Sequence, residues 1–359
     1  MVGAKKGCDE TFPSSEDVVA VSIARLEEAV RSRNTHEQKT QGELLFDASS
    51  NKITKQDKNR RYGVTKTLSN KSGLLKLRHP NRDFFLADLF DYAMKDDGAS
   101  MEAPIFTLST KPDLSVWEWH SKDGSRHVKV TPSVLGRATQ HDKDVLIYVI
   151  SQMTEGLNRG REDARNRTVR FTIYDYLVTT NRGVGGDDYR RLQESFDRLA
   201  GTRIKTDIRT GGRRVTDNFG ILERVKVVEK SPSDERMIAV EVTLSEWLYN
   251  AVQAFEVLTI HPDYFRLRKP LARRLYELAR KHCGHQAQWT VSLALLQEKA
   301  GSKSSLKEFR RTVRSIQGDD SLPEYHLVLN HDDTVTFSFK GTEKSLTNGV
   351  KQTGRRSVP

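Results

Sequence analysis

The stretch Ser304-Ser305-Leu306-Lys307-Glu308-Phe309-Arg310-Arg311-Thr312-Val313-Arg314-Ser315-Ile316 decides how the chain is read. Leu306, Phe309, Val313 and Ile316 stand at i, i+3, i+7 and i+10, one buried stripe of an amphipathic helix. Ser305, with Glu308 three residues on, forms a capping box at its start. The other face carries Lys307, Arg310, Arg311 and Arg314, and Lys303 lies in the preceding turn. Such a helix suits the DNA major groove, where Arg pairs bidentately with guanine. Ser304 and Ser305 sit where hydroxyls and free backbone N–H groups meet phosphate. Most charged helix faces are simply solvated; the surrounding elements are what favour a reading helix here.

Upstream, Pro270 opens a helix with Leu271, Leu275 and Leu278 on its apolar face. Gln288–Val291 reads as a strand, and Leu293–Ala300 as a second helix stopped by Gly301. Downstream, Tyr325, Leu327 and Leu329, then Val335, Phe337 and Phe339, alternate around Asn330-His331-Asp332-Asp333. Helix, strand, helix, turn, helix, hairpin is the order of a winged helix, the hairpin being its wing.

The same order occurs earlier. Asp142 or Asp144 caps a helix through Val145, Leu146, Tyr148, Val149 and Met153. Val169–Thr172 is a strand, Tyr174–Thr180 a helix and Gly183-Val184-Gly185-Gly186 a turn. A second helix then repeats the apolar spacing with Tyr189, Leu192, Phe196 and Leu199. Arg203–Ile208 and the segment from Arg214 flank Thr210-Gly211-Gly212 as a first wing. Arg190, Arg191 and Arg198 alternate with Glu194 and Asp197, so this helix is the weaker reader. Arg203, Arg209, Arg213 and Arg214 give its wing a basic tip, suited to backbone or minor-groove contact. A protein–protein role for this copy stays open.

The expected fold is α+β: two tandem winged-helix domains between flexible tails. The expected divisions are a tail at 1–60 with one short helix, a first winged helix at 61–236, a strand–helix–strand connection at 237–262, a second winged helix at 263–340 and a tail at 341–359. The N-terminal helix, through Val18, Val21, Ile23, Leu26 and Val30, reads as a loosely docked tail helix or a small dimerisation arm. Phe84, Phe85, Leu86, Leu89 and Phe90 form an apolar cluster. Ile105–Leu108 and Val116–Trp119 read as strands, the latter in a hairpin with His127–Val130.

The net charge is +11 over 359 residues. Its distribution says more: Tyr264–Arg314 holds thirteen Lys and Arg against three Glu, enough to carry nearly the whole excess as one patch. No apolar run approaches the ~18 residues of a membrane span, and the N-terminus lacks an apolar signal core. Cys8 and Cys283 cannot build a disulfide framework or a four-thiolate zinc site. A cytoplasmic protein without membrane contact, cofactor or metal is expected.

Catalytic readings fare poorly. No GxxxxGK[ST] loop is present, and Gly183–Gly186 follows a helix where a nucleotide cradle needs a strand. No HxH pair offers the metal ligands of a nicking nuclease. His282, Cys283 and His285 resemble a metal cluster but read better as a helix end. Tyr276 and Tyr325 have nothing beside them in sequence to mark a recombinase nucleophile. No catalytic residue is assigned.

Long blocks in order carry a family resemblance: DFFLADLFD (83–91), MEAPIFTLSTKPD (101–113), VTPSVLGRATQHDKDVLIYVISQM (130–153), RTVRFTIYDYLVTTNRGVGGDDYRRL (167–192), GTRIKTDIRTGG (201–212), VEVTLSEWLYNAV (240–252) and YFRLRKPLARRLYELARKHCG (264–284). Over about residues 79–317 the chain resembles the plasmid replication initiator protein A family. The resemblance implies a theta-type initiator that binds repeated sites (iterons) at a plasmid origin. It implies opening of nearby duplex, recruitment of the host initiator and replicative helicase, and often repression of the initiator's own promoter. Such initiators often act as monomers and are silenced as dimers, so a homodimer is a further expected state. A winged-helix transcriptional repressor without initiator activity is the main alternative, and a recombinase the remote one.

Overall fold

The structure is a computed structural model. It describes residues 73–79 and 93–341, apart from 122, 123, 125, 210, 213–216, 232 and 233. The expected N-terminal helix, the Phe84–Phe90 cluster, Arg213, Arg214 and the tail beyond 341 lie outside the described residues. The described residues belong to one compact unit spanning 68–359.

The elements run β1 (Lys95–Asp97), α1 (Gly98–Glu102), β2 (Trp117–His120), β3 (His127–Thr131), α2 (Lys143–Asn158), β4 (Thr168–Thr172), α3 (Ile173–Thr179) and α4 (Gly186–Gly201). They continue with β5 (Arg203–Thr206), β6 (Asp217–Gly220), β7 (Leu222–Ser231), β8 (Asp234–Leu244), α5 (Glu246–Gln253) and β9 (Val257–Thr259). The last third holds α6 (Pro270–His282), β10 (Gln288–Ser292), α7 (Leu293–Ala300), α8 (Leu306–Asp319), β11 (Tyr325–Leu329) and β12 (Thr334–Phe339). The chain is thus mixed α+β.

One arrangement occurs twice. After α2, strand β4 ends in Thr172, whose hydroxyl accepts the Asp175 backbone N–H and starts α3. After α6, strand β10 ends in Ser292, whose hydroxyl accepts the Leu295 N–H and starts α7. Each short helix turns into a longer amphipathic one, α4 or α8. Each copy also has a three-stranded antiparallel sheet of the same order, β4-β8-β7 and β10-β12-β11.

That equivalence corrects the expected first wing. The hairpin around Gly211 and Gly212 forms as β5–β6, but it joins β2–β3 in a separate four-stranded sheet. The counterpart of the β11–β12 hairpin is β7–β8. The expected division at 236/237 falls inside β8, the central strand of its sheet. The Gly-Gly turn is a local signal; which sheet a hairpin joins depends on distant partners. Ile105–Leu108 forms no strand: Ile105 and Phe106 are buried and only Thr107 bridges, to Thr139. Ser245 caps α5 by accepting the Leu248 N–H, while Thr243 just before it is still paired within β8.

Two apolar clusters form the core. The first gathers β2, β3, α2, α3, α4, β8 and α5, and the second gathers α6, α7, α8 and the β10–β12 sheet. Helix α2 serves both: Tyr148, Val149 and Met153 join the first, Ile147 the second. Buried almost all round, α2 reads as an interior helix.

Where α2 meets α6 the contact is ionic. Lys143, fully buried, lies 2.6 Å from Asp96 and 3.0 Å from Glu277. Glu277 also accepts from Tyr264 Oη at 2.7 Å and faces Arg274 at 3.2 Å. Arg274 donates to the carbonyls of Met101, Glu102 and Lys299, and Arg273 pairs with Asp144. Burial, together with the nearby Glu277 and Asp97 carboxylates, pushes the Asp96 carboxyl up against the pull of Lys143. Removing one member of such a cluster strands the others, at about 3–5 kcal/mol.

Candidate nucleic-acid interface

Helix α8 is seated by Phe309, Val313 and Ile316, all buried. Leu306, placed on the same stripe by its spacing, is instead 36% exposed. Ser305 caps the helix through the Glu308 backbone N–H at 3.3 Å. The Glu308 carboxylate completes no capping box with Ser305 but pairs with Arg311 at 2.9 Å. At about 100° per residue, Lys307, Arg311 and Arg314 project opposite the buried stripe. All three are exposed, and Lys307 and Arg314 have no ion pair with any described residue.

Arg310 behaves differently. It points sideways to the β11–β12 turn, where its Nε and Nη2 donate to the Asp333 carboxylate at 3.2 and 2.6 Å. Asp333 has φ of 57°, and its carbonyl accepts the Leu293 N–H at 2.8 Å. Arg310 therefore braces α8, the hairpin and the start of α7 together. Lys303 is also held: its ammonium lies 2.9 and 2.8 Å from the two Asp113 oxygens and over the Trp117 ring. Burial opposes ionisation of Asp113, but hydrogen bonds from Lys303, Ser115 and Thr107 hold its carboxyl well below the usual range. Ser304 contributes its carbonyl to Gln297 and its hydroxyl to Ser302.

Helix α4 is seated by Leu192, Ser195, Phe196 and Leu199. Arg198, grouped by sequence with the DNA contacts, turns inward: its Nε and Nη2 each lie 2.8 Å from an Asp142 oxygen. Asp142, one of the two expected caps of α2, stands at the cap position but makes no cap bond there, because Arg198 and Thr139 occupy its oxygens. Burial raises and those donors more than offset it, so the Asp142 carboxyl sits below its usual range. Arg190 is exposed and pairs with Asp187 at 3.1 Å. Arg191 and Arg209 are exposed with no partner among the described residues, while Arg203 donates to the Asn218 carbonyl.

The expected basic patch over 264–314 is largely internal. Arg266, Lys269, Arg273, Arg274, Lys281 and Lys299 all pair with carboxylates inside the unit. What remains exposed without a carboxylate partner among the described residues is Arg268, before α6, and Lys307 and Arg314 on α8. His282 stacks on Trp289, His285 meets Phe339 edge-on, and Cys283 is buried, so these three side chains point apart. Among the described residues, the grouping with ligand atoms near enough for a metal is Glu118, His120 and His127 on β2–β3. Sequence reading missed it because the two histidines meet only through strand pairing. Glu118 there is engaged by Lys129 at 2.7 Å. No described helix is long and apolar enough to cross a membrane.

The family described as Replication initiator protein A matches residues 95–327. The chain belongs to that family. A protein of Wigglesworthia glossinidia brevipalpis named for replication is 33% identical over 275 residues, which is 76% of this chain and 98% of the relative. Two solved structures align more loosely. The crystal structure of RctB domains 2 and 3 has a TM-score of 0.47 at 16% identity, over 67% of this chain and 95% of that one. The Pi initiator protein in complex with iteron DNA has a TM-score of 0.40 at 15% identity, over 56% of this chain and 90% of that one. Family membership places this chain in the initiation of DNA replication.

Proposed function

We propose that the chain is a plasmid replication initiator that binds repeated duplex sites at its origin through two tandem winged-helix units. The carrying observation is the outward face of α8, where Lys307, Arg311 and Arg314 stand together opposite a buried apolar stripe. In this reading α8 enters the major groove and the β11–β12 hairpin lies along the backbone. Arg310 acts as the brace that sets the angle between them, and Arg198 and Lys303 serve the fold. Protomers on tandem sites supply the energy to bend the origin, at about 1–6 kcal/mol per site, and so strain the adjacent duplex towards opening. Helicase loading and unwinding belong to recruited host proteins, and binding at the initiator's own promoter represses it. The protein itself works by binding and not by catalysis.

The test is a plasmid carrying only the cognate origin, with this protein supplied in trans. Maintenance of that plasmid, with a ladder of evenly spaced footprints at the origin, is expected. Promoter repression without plasmid maintenance would leave a repressor and sink the initiator reading.

A further inference from the structure

A cavity of 470 Å³ opens beside α4, walled by the loop 109–112, the segment before α2 and one flank of α4. At its inner end lies Arg137, only 1% exposed. Its guanidinium stacks on Trp117 at 5.3 Å, and its single ionic contact is Nη2 to Asp113 at 3.4 Å. Asp113 is already saturated by Lys303, Thr107 and Ser115. Nε and Nη1 of Arg137 have no hydrogen-bond partner, although both are buried. Buried guanidinium donors are almost always paired, so two orphans on one side chain call for an acceptor.

Arg182 repeats the pattern on the same wall. Its Nη2 donates to the His141 carbonyl at 2.8 Å and to Asp144 at 2.9 Å, while its buried Nε is unpartnered. Lys111 and Arg191 stand at the mouth, both exposed and neither paired with a described residue. Two carboxylates share the lining, and both are engaged. Asp142 holds Arg198 through both oxygens, and Glu194 lies 3.8 Å from the same guanidinium. The remaining charge around the cavity is therefore positive, and the unmet donors are planar N–H forks.

We propose that this cavity is a phosphate-binding site, with Arg137 and Arg182 as the inner donors and Lys111 and Arg191 as the outer ones. Guanidinium forks match the tetrahedral oxygens of a phosphoryl group, which can satisfy several donors at once. Thr110 adds a hydroxyl at the rim, while the Ser109 hydroxyl is held by the Lys111 backbone. The group comes either from a DNA backbone phosphodiester or from a free phosphate or nucleotide; only the first source rests on the DNA-binding reading above. If it is the backbone, α4 contributes to DNA binding by gripping phosphate on its flank and not by reading bases on its outer face.

The test uses the full chain in chloride buffer at fixed ionic strength, titrated calorimetrically with pyrophosphate. Saturable binding and a raised thermal midpoint are expected. Lys111→Ala with Arg191→Ala, both surface changes, should weaken pyrophosphate tenfold or more while leaving the ligand-free midpoint in place. Arg137→Gln should abolish it. No saturable binding, or unchanged affinity in the rim double variant, overturns the site. A duplex titration separates the sources. For a DNA phosphodiester, pyrophosphate competes with duplex and the rim variant flattens the salt dependence by about one phosphate contact per side chain. For a free phosphate or nucleotide, duplex affinity stays unchanged in Lys111→Ala alone while pyrophosphate affinity falls. Arg314→Ala should weaken duplex and spare pyrophosphate, so failure of the α8 reading is seen separately.

Discussion

Superimposing the buried stripes of α4 and α8 sets Leu192 against Phe309, Phe196 against Val313 and Leu199 against Ile316. In that register Arg190 falls with Lys307, but Glu194 falls with Arg311 and Asp197 with Arg314. The two helices share their inward chemistry and differ in their outward sign. Their anchors differ too. Arg198 of α4 reaches into the core to Asp142, whereas Arg310 of α8 reaches along the surface to Asp333. The arrangement that occurs twice is thus alike at the face that packs and different at the face that points outward. One arginine of each helix that the sequence grouped with DNA contacts, Arg198 or Arg310, is instead held by a carboxylate of the fold.

The deepest contrast is between the anchors. Arg198→Ala leaves the Asp142 carboxylate buried without its cation and should lower unfolding free energy by about 3 kcal/mol. Arg310→Ala breaks a partly exposed pair and should cost about 1 kcal/mol or less. Urea denaturation of both variants checks this, and equal losses would break the distinction.

Acid should find the two halves alike. Burial, aided by Arg273, holds His141 at about 4, and burial, aided by Lys299, holds His282 at about 4. Each folded value lies below the unfolded one of about 6.5. The unfolded chain therefore takes up protons first, and stability falls as pH drops from about 6.5 towards 4. A loss on the order of 1–3 kcal/mol is expected across that window. His141→Asn and His282→Asn should each flatten the pH profile of the thermal midpoint.

The outer faces should part at the next level. Arg314→Ala and Lys307→Ala should each weaken specific duplex binding by about 1–3 kcal/mol and leave stability nearly unchanged. Arg190→Ala on α4 should change specific affinity little. Equal effects in gel-shift titrations would restore the symmetry that the surface charges deny.

The smallest effect sharpens the role of Arg310. Asp333→Asn releases that guanidinium from its partner. Duplex affinity should rise by under about 1 kcal/mol, and the salt slope should steepen by about one contact. A fall in affinity instead would show that the brace matters more than the freed charge.

The repeat was legible because it rests on local rules. Thr172 and Ser292 at strand ends, Pro270 at a first helical turn and Gly301 at φ 68° each act within a few residues. The apolar spacing of α4 and α8 likewise needs only a helix and a core. The wing was misplaced for the opposite reason: β5–β6 and β7–β8 are both good hairpins, and only pairing with β3 or β4 tells them apart. Ile105 and Phe106 look like strand residues because they are apolar, yet they fill the core from irregular backbone.

Sequence by itself determined the element order, the two seated helices and a strongly basic chain. Tertiary structure decided which of those charges reach a partner. A side chain's charge is written in the sequence, but its availability depends on whether folding brings a carboxylate within reach. Arg273, Arg198 and Arg310 each meet one from a distant segment or across a turn, and Lys307 and Arg314 meet none among the described residues. The cavity at Arg137 follows the same physics in reverse, since folding there buried the cation and left its donors waiting for an acceptor.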